Sequence, residues 1–256
     1  MDAPGLEAVF VDAGGSRIIG SFYRAGGDGR RPAVLLLHGL PGQEKNLDLA
    51  AHLRQIGLHA LLPYHRGAWG SQGAYSCRHL VADGEAALEW LRDRPDVDPE
   101  RIGLVGFSLG GWVAFQLAAK HPPAALVAVA PLVDPRIVPL PRDLALESAA
   151  TLQGTTPERL TEEWAALAPL TGWRPSSPLP ILLVTAGRDS LFPAETFAPM
   201  QALPQLEHVV FPRADHLFSD VRPGLRHVVA RWLVENLHAE RRSGDRNGML
   251  ESAPRS

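Results

Sequence analysis

A serine flanked by glycines stands where a strand-like run gives way to a helical pattern. Residues 106–110 read Gly-Phe-Ser-Leu-Gly, after the apolar run 102–105 and before the alanine-rich run 112–120. In that setting G-x-S-x-G predicts a tight turn that lifts the serine hydroxyl to the edge of a sheet. A glycine-rich turn with a capping serine gives the same letters. Ser108 is therefore a candidate nucleophile whose meaning depends on the residues that meet it.

A base and an acid for this serine can be chosen by position. A serine hydroxyl becomes a good nucleophile when a base removes its proton and an acid orients that base. Among ten histidines, His216 stands just beyond the last strand-like run. Asp189 follows the run 181–185, at the end where open α/β sheets collect their catalytic groups. The order Ser108, Asp189, His216 matches the chain order associated with G-x-S-x-G, and we expect a catalytic triad.

Other interpretations of the acid and the base stay open. Asp134 follows the run 125–130 and is the rival acid, whereas Asp215 and Asp220 are too near His216 in sequence to be favoured. Each aspartate also fits a residue that caps a surface turn. His216 also fits an exposed loop histidine. A fold that brings particular side chains together would decide between these interpretations.

The segment His38-Gly39-Leu40-Pro41-Gly42 follows the apolar run 33–37 directly. Its glycines allow a tight bend, in which the Leu40 N–H can face the Leu109 N–H at the start of the helix after Ser108. Two such donors stabilise the negative charge that develops on a carbonyl oxygen during acyl transfer. Taken alone, these five residues also fit an ordinary turn. We expect Leu40 and Leu109 to form an oxyanion hole.

Apolar runs alternate with helical patterns through most of the chain. Two short runs, 6–11 and 18–23, predict an antiparallel hairpin. Continuous apolar runs, typical of parallel strands covered on both faces, follow at 33–37, 60–62, 102–106, 125–130, 181–185 and 207–211. Helical patterns lie at 45–56, 80–92, 110–120, 194–202 and 225–237. The alternation predicts an α/β fold with a mostly parallel sheet.

One long segment, residues 134–178, interrupts this alternation. It is rich in proline and contains a helical pattern near 157–167. Long connections on compact domains are often lids or binding elements, so we expect a small cap insertion over the carboxyl edge of the sheet. Trp164 and the leucines of the segment fit either an apolar wall for a substrate or the cap's own small core. The polar residues 239–256 predict a flexible tail, which leaves residues 1–238 as a single domain.

The composition disfavours several classes of function. The 256 residues are 45% hydrophobic and 21% charged, which suits one full-sized domain. A net charge of −3 provides no basic field for nucleic acid or an anionic membrane. Cys77 is the only cysteine, and we find neither a secretory leader nor an apolar run of membrane-spanning length. We expect a cytoplasmic protein that binds neither nucleic acid nor membrane.

These motifs together resemble the α/β-hydrolase superfamily, and within it the compact serine esterases and the catalytic domains of prolyl-oligopeptidase-like peptidases. The resemblance covers about residues 32–237 and includes YHRGAWGSQG at 64–73, which is similar to the RG-x-G-x-S-x-G loop of such families. It implies an α/β-hydrolase fold, with an eight-stranded sheet and helices on both faces. It also implies Ser108 as nucleophile, Asp189 as acid and His216 as base.

The resemblance implies supporting roles as well. Arg66 and Gly67 would stabilise their loop, and His38 would orient the oxyanion segment. Trp69 would line the substrate pocket or simply pack within the loop. The sequence lacks the large N-terminal propeller of the oligopeptidases and the HGGG motif of one lipase and esterase branch. Both departures favour a compact esterase over the alternatives.

The expected function is hydrolysis of small-molecule carboxylic esters through an acyl-enzyme, with neither metal nor organic cofactor. A prolyl-oligopeptidase-like peptidase or amidase is the main alternative, because the same groups can cleave amides. A non-catalytic protein that binds a ligand is a further alternative, since a fold does not fix a function. Dehalogenase chemistry is disfavoured because serine stands where that reaction uses a carboxylate. Neither GxGxxG nor GxxxxGK[ST] is present, which disfavours NAD and ATP as ligands.

Overall fold

An eight-stranded sheet organises the protein. The computed structural model describes residues 3–40 and 45–238. Its strands are β1 (Gly5–Ala13), β2 (Ser16–Arg24), β3 (Arg31–Leu37), β4 (His59–Pro63), β5 (Val97–Phe107), β6 (Ala125–Val129), β7 (Ile181–Ala186) and β8 (Leu206–Phe211). Their order across the sheet is β1-β2-β4-β3-β5-β6-β7-β8. β2 runs antiparallel to β1 and β4, and the other neighbours are parallel, so the predicted fold class is confirmed.

Helices cover both faces of this sheet. They are α1 (Leu47–Gln55), α2 (Leu80–Arg92), α3 (Leu109–Lys120), α4 (Arg142–Thr151), α5 (Pro157–Ala165) and α6 (Arg222–Leu237). Helices α1 and α6 pack on one face through residues such as Leu53 and Leu233. Helices α2 and α3 pack on the other face through Leu88 and Phe115. The central strands are buried on both sides, which explains their continuous apolar runs.

The β1–β2 hairpin forms one edge of the sheet. Gly14 and Gly15 occupy its turn with φ of 63° and 81°, a left-handed conformation that side chains disfavour. From Ala8 to Ala13, exposed and buried residues alternate along β1, as expected for a strand with one face in solvent. The predicted hairpin is confirmed, and both strands extend to the glycine pair.

Two local differences from the sequence predictions have physical causes. The helix predicted at 194–202 is a 3-10 helix, Ala194–Ala202, that contains Pro199. Proline lacks the N–H for an α-helical hydrogen bond and restricts the residue before it, which disfavours a regular α-helix. Helix α4 was not expected. It buries only Ala145 and Ser148, so its sequence carries little apolar periodicity.

The segment 134–178, which contains α4 and α5, is fastened to the rest of the domain. The indole N–H of Trp112 on α3 donates to the carbonyl of Ala168 at 2.7 Å. Within the segment, the indole N–H of Trp173 donates to the carbonyl of Phe115 at 3.0 Å. Two tryptophans thus bind the two chain regions together through main-chain acceptors.

Helix α6 is the last helix that the structure describes. Helix α6 reaches Leu237, at the boundary predicted for the domain. The tail predicted at 239–256 lies outside the described residues. Within the described ranges, we find no helix long and apolar enough to cross a membrane.

Glu163 on α5 is a buried carboxylate that joins the 134–178 segment to the loop before α2. Its Oε2 accepts hydrogen bonds from the Ser76 hydroxyl and the Cys77 N–H, both at 2.8 Å. Its Oε1 accepts from Nε of Arg159 at 2.9 Å. Burial alone would raise the pKa of Glu163, but these donors outweigh it and hold the pKa below its ordinary value. The ionised carboxylate is therefore part of the folded structure.

We predict that Glu163→Ala lowers the free energy of unfolding by about 2–4 kcal/mol, because it leaves buried donors without their acceptor. Folding lowers the pKa of Glu163, so its contribution is present above the unfolded-state pKa and is lost as pH falls through the folded-state pKa. Urea unfolding at about pH 7 and about pH 4 measures both effects. Glu162→Ala, at an exposed neighbouring position, is the control. Equal stability of wild type and Glu163→Ala at the higher pH would contradict this role.

Candidate active site

Ser108 stands in a strained turn between β5 and α3. Its φ of 55° and ψ of −120° lie in a region that residues with a side chain rarely adopt. Two glycines make the turn possible. A Cβ at Gly106 would overlap the backbone of Gly110, and a Cβ at Gly110 would overlap the carbonyl oxygen of Leu37. The close approach of α3 to β5 and β3 therefore fixes the direction of the Ser108 side chain.

Hydrogen bonds join Ser108 to His216 and Asp189. Nε2 of His216 lies 3.1 Å from the Ser108 Oγ, and Nδ1 of His216 lies 2.8 Å from Oδ2 of Asp189. An ionised carboxylate only accepts, so Nδ1 carries the proton and Nε2 is free to accept from the serine hydroxyl. The N–H groups of Leu191 and Phe192 donate to the other oxygen, Oδ1, at 2.9 and 2.8 Å. These bonds hold the Asp189 carboxylate against the imidazole.

The His216 ring is enclosed by aromatic side chains. Its centroid lies 5.3 Å from the Phe107 ring and 4.8 Å from the Phe192 ring, and the residue is only 8% exposed. Ser108, Asp189 and His216 follow β5, β7 and β8 respectively, at the same edge of the sheet. Parallel strand ends and ring packing together bring the three predicted residues into one hydrogen-bonded chain.

The rival acids have other partners. Oδ1 and Oδ2 of Asp134 accept from Nε and Nη2 of Arg136 at 2.9 and 2.6 Å. The guanidinium holds the pKa of Asp134 below its usual value. Asp215 accepts the N–H of Ser219 at 2.8 Å, as a turn-capping residue does. The acid that contacts His216 is therefore the one favoured from the sequence, and the Asp134 alternative is not supported.

The two predicted oxyanion donors flank Ser108. Leu109 is the first residue of α3, so its N–H lies at the helix N-terminus without an intrahelical acceptor. Gly39 packs so closely that a Cβ there would lie 3.1 Å from the Ser108 Cβ, and Leu40 follows it in the wall of the adjoining cavity. Within residues 3–40 and 45–238, no hydrogen bond engages the N–H of Leu40 or Leu109. Pro41 and Gly42 of the predicted segment lie outside the described residues.

A cavity of about 380 Å³ opens beside Ser108. The carboxyl edge of the sheet forms one wall, and the 134–178 segment forms the other. Trp164, predicted to contact substrate, lines it, and its indole N–H donates to the Val138 carbonyl at 2.8 Å. The other large apolar lining residues are Leu40, Phe107, Leu144, Leu191, Phe192 and Leu217. The cavity has the size and apolar character of a small-molecule site.

Metal ligation finds no support in the described ranges. No group of three or more histidine, cysteine, aspartate or glutamate side chains within residues 3–40 and 45–238 is arranged to hold a metal ion. Cys77 is buried, and burial raises the pKa of its thiol to about 12. The polar side chains that line the cavity are three serines, one histidine and two carboxylates: Ser108, Ser148, Ser190, His216, Glu147 and Asp215.

Solved structures with the same architecture include two esterases. Est1E from Butyrivibrio proteoclasticus, solved with ferulic acid, is 17% identical with a TM-score of 0.73, covering 90% of this chain and 99% of that one. The Pyrococcus furiosus esterase PF2001 is 20% identical with a TM-score of 0.70, covering 92% of each chain. At these identities the likeness establishes the fold alone.

Sequence comparison relates the chain to a known peptidase family and to a bacterial protein. Residues 39–137 match the model of the S15 peptidase family, X-Pro dipeptidyl-peptidase. The chain is 32% identical over 239 residues to the uncharacterized protein Rv2307c of Mycobacterium tuberculosis, covering 90% of this chain and 80% of that protein. The chain belongs to the α/β-hydrolase superfamily. The predicted resemblance is thus confirmed at the level of the superfamily, and hydrolysis is the class of activity that it supports.

In this α/β hydrolase, His38 supports the peptide unit that carries the Leu40 N–H. Nδ1 of His38 donates to the carbonyl of Gly39 at 2.7 Å. That carbonyl and the Leu40 N–H belong to one planar peptide, so the bond fixes the direction of both. Burial and the neighbouring His65 hold the pKa of His38 well below its usual value, which keeps the ring neutral.

Trp69 packs against His38 and does not line the cavity. Its ring packs edge-on against His38 at 4.6 Å and against Tyr64 at 5.3 Å. Nζ of Lys45 lies 4.2 Å from the centre of the indole ring. The backbone of Trp69 has φ of 43°, a left-handed conformation that residues with a side chain disfavour. Of the two roles considered from the sequence, the structure supports packing and not substrate contact.

Asp83 was not singled out from the sequence, although it supports the same region. Its carboxylate is fully buried on α2 and accepts from both the backbone N–H and the Nε of Arg66. Contacts with His65 and Arg66 outweigh the effect of burial and lower the pKa of Asp83. The sequence signal that could have identified Asp83 was an aspartate within the apolar pattern of a predicted helix. Arg66 therefore has the structural role that the resemblance implied.

We predict that the proton between His216 and Asp189 gives a strongly downfield resonance in proton NMR, because a carboxylate at 2.8 Å deshields it. Asp189→Ala should abolish that resonance. Asp134→Ala, which removes a carboxylate paired with Arg136, should leave it in place. Retention in Asp189→Ala, or loss in Asp134→Ala, would assign the acid differently.

Proposed function

We propose that this protein is a serine hydrolase that cleaves carboxylic esters of small molecules through an acyl-enzyme. The observation that carries the proposal is the hydrogen-bonded chain Ser108, His216 and Asp189 beside an apolar cavity. A neutral hydroxyl needs such a base to attack a carbonyl. The cavity supplies space for an uncharged acyl or alcohol group next to the nucleophile.

In the proposed acylation, Nε2 of His216 takes the proton as Oγ of Ser108 attacks the ester carbonyl carbon. The N–H groups of Leu40 and Leu109 stabilise the tetrahedral oxyanion. The imidazolium then donates its proton to the leaving alcohol, and the carbon–oxygen bond to that alcohol breaks. Asp189 stabilises the positive charge on the ring while the proton resides there.

Deacylation repeats these steps with water in place of the serine. His216 removes a proton from water, the resulting hydroxide attacks the acyl carbon, and Ser108 leaves with the proton returned by the imidazolium. The carboxylic acid is released and the original protonation state is restored. The protein supplies every proton-transfer group that this cycle uses.

A peptidase or amidase is the second candidate, because the S15 family model matches residues 39–137. That match includes Gly39, Leu40 and Ser108 but ends before Asp189 and His216. The esterase proposal is favoured by the apolar cavity and by the esterases among proteins of similar fold. The choice between them concerns the leaving group, since both reactions use the same triad.

We expect a fluorophosphonate probe to label the wild type and not Ser108→Ala, because the probe reacts with an activated serine. Ser108→Ala and His216→Ala should each reduce hydrolysis of p-nitrophenyl acyl esters at least about a thousandfold. Aminoacyl-p-nitroanilides, assayed in parallel, measure the amidase alternative. Faster turnover of the anilides would favour a peptidase. An unlabelled wild type with no turnover would favour a protein that only binds a ligand.

We predict that His38→Phe lowers kcat for ester hydrolysis about tenfold, because the Gly39–Leu40 peptide loses the donor that fixes it. The phenyl ring keeps the packing against His65 and Trp69, so the change should spare KM and the melting temperature. Trp69→Phe is the matched control, since Trp69 packs on the His38 ring whereas the bond to the Gly39 carbonyl comes from His38. An unchanged kcat in His38→Phe would exclude this positioning role.

A further inference from the structure

The chain before His216 is bonded to the loop that carries Asp189. The N–H of Arg188, the residue before Asp189, donates to the carbonyl of Ala214 at 2.9 Å. Ala214 is buried, and its own N–H donates to the carbonyl of Phe211 at 3.1 Å. These main-chain bonds fix the approach to His216 relative to the loop of its acid partner.

The chain after His216 is held by a side chain, that of Asp215. Its Oδ1 accepts from the N–H of Ser219 at 2.8 Å, and its main-chain carbonyl accepts from the N–H of Phe218 at 3.0 Å. The two bonds close a turn over residues 215–219, which contains His216. Because the carboxylate is bonded across this turn, it restricts the backbone that carries the imidazole.

Phe218 anchors the 215–219 turn in an unfavourable backbone conformation. Its φ of 56° is left-handed, which residues with a side chain disfavour. Its side chain is fully buried, and the ring lies edge-on to Phe211 with the centroids 5.8 Å apart. Such a conformation persists only when surrounding bonds compensate for it, and the Asp215 carboxylate supplies one of them. Loss of that carboxylate would therefore loosen the turn.

The carboxylate of Asp215 is stabilised in its ionised form. The hydrogen bond from the Ser219 N–H lowers the pKa of Asp215 most, and the N–H groups of Leu217 and Phe218 act in the same direction against the opposing effect of burial. Hydrogen bonds to an ionised acceptor are stronger than those between neutral groups. An asparagine at position 215 would keep an acceptor oxygen without the charge, so the two properties can be separated.

We propose that Asp215 is a positioning residue, whose carboxylate fixes the turn that directs the His216 imidazole toward the Ser108 hydroxyl. The inference rests on the proposed esterase function and adds a residue to its machinery. Nε2 of His216 lies 3.1 Å from the Ser108 Oγ, near the long end of the hydrogen-bond range, so a small displacement of the ring would break the contact. A displacement of about 1 Å can slow a reaction about a hundredfold. Proton transfer therefore depends on Asp215, which itself exchanges no proton.

Asp215→Ala should lower kcat for p-nitrophenyl butanoate about tenfold and leave KM nearly unchanged, because the base is displaced while the cavity is retained. Asp215→Asn should keep most of the wild-type kcat, since its amide oxygen can accept the Ser219 N–H. Each variant is measured on the plateau of its own pH profile, so that the loss of a charge near His216 is not mistaken for a loss of positioning. Asp220→Ala, which removes an exposed carboxylate from the same segment, is the matched control and should equal the wild type.

Proton NMR separates positioning from stability. The resonance of the proton between His216 and Asp189 should broaden or move upfield in Asp215→Ala, because a loosened turn lets the imidazole move relative to its partners. In Asp215→Asn the resonance should match that of the wild type. Spectra and kcat are recorded well below the melting temperature of each variant. A role in stability alone would lower the melting temperature and change neither quantity.

Each outcome decides the inference. An unchanged kcat and resonance in Asp215→Ala overturn it, while ester hydrolysis by the wild type still supports the proposed function. Equal losses in Asp215→Asn and Asp215→Ala also overturn it, because the charge and not the turn would then be responsible. If Asp215→Ala does not fold, Asp215→Glu replaces it, and its displaced carboxylate should lower kcat several-fold although the charge is kept. An unlabelled wild type that hydrolyses no ester overturns the proposed function and this inference together.

Discussion

The conformation of Ser108 depends on backbone contacts that only glycine permits. Strand β5 and helix α3 approach so closely that neither Gly106 nor Gly110 has room for a methyl group. That packing compensates for the unfavourable φ of Ser108, because the large core on both faces of the sheet holds the two elements in place. The position of the hydroxyl is thus set by the tertiary structure, and the groups around it can be arranged relative to a fixed point.

The remaining groups of the site are positioned by main-chain donors and acceptors. Two backbone N–H groups hold Asp189, which orients His216 toward the serine. On the opposite side, neutral His38 holds the carbonyl of Gly39 and thereby the N–H of Leu40. Such bonds are short-range and directional, so little reorganisation is needed when charge develops in the reaction that we propose. The groups on both sides of Ser108 are therefore held in place by the fold.

The sequence predicts the fold and the triad because both give regular sequence patterns. Buried parallel strands give continuous apolar runs, and catalytic groups follow these runs at one edge of the sheet. The contacts of individual side chains give no such sequence pattern. Whether Trp69 packs or lines a pocket depends on its contacts with residues distant in sequence, such as His38. The partners of Asp83 likewise come from a loop earlier in the chain. Helix α4 was missed because its buried residues are few and small.

The two tryptophan bonds that fasten the 134–178 segment bear on how the hydrolase could be adapted. A wall secured in this way keeps its backbone position when a side chain on its inner surface is replaced. In the esterase that we propose, the length and width of acceptable acyl chains then depend on side-chain volume at positions such as Leu144. Selectivity in this scaffold can therefore be retuned residue by residue, without redesign of a moving element.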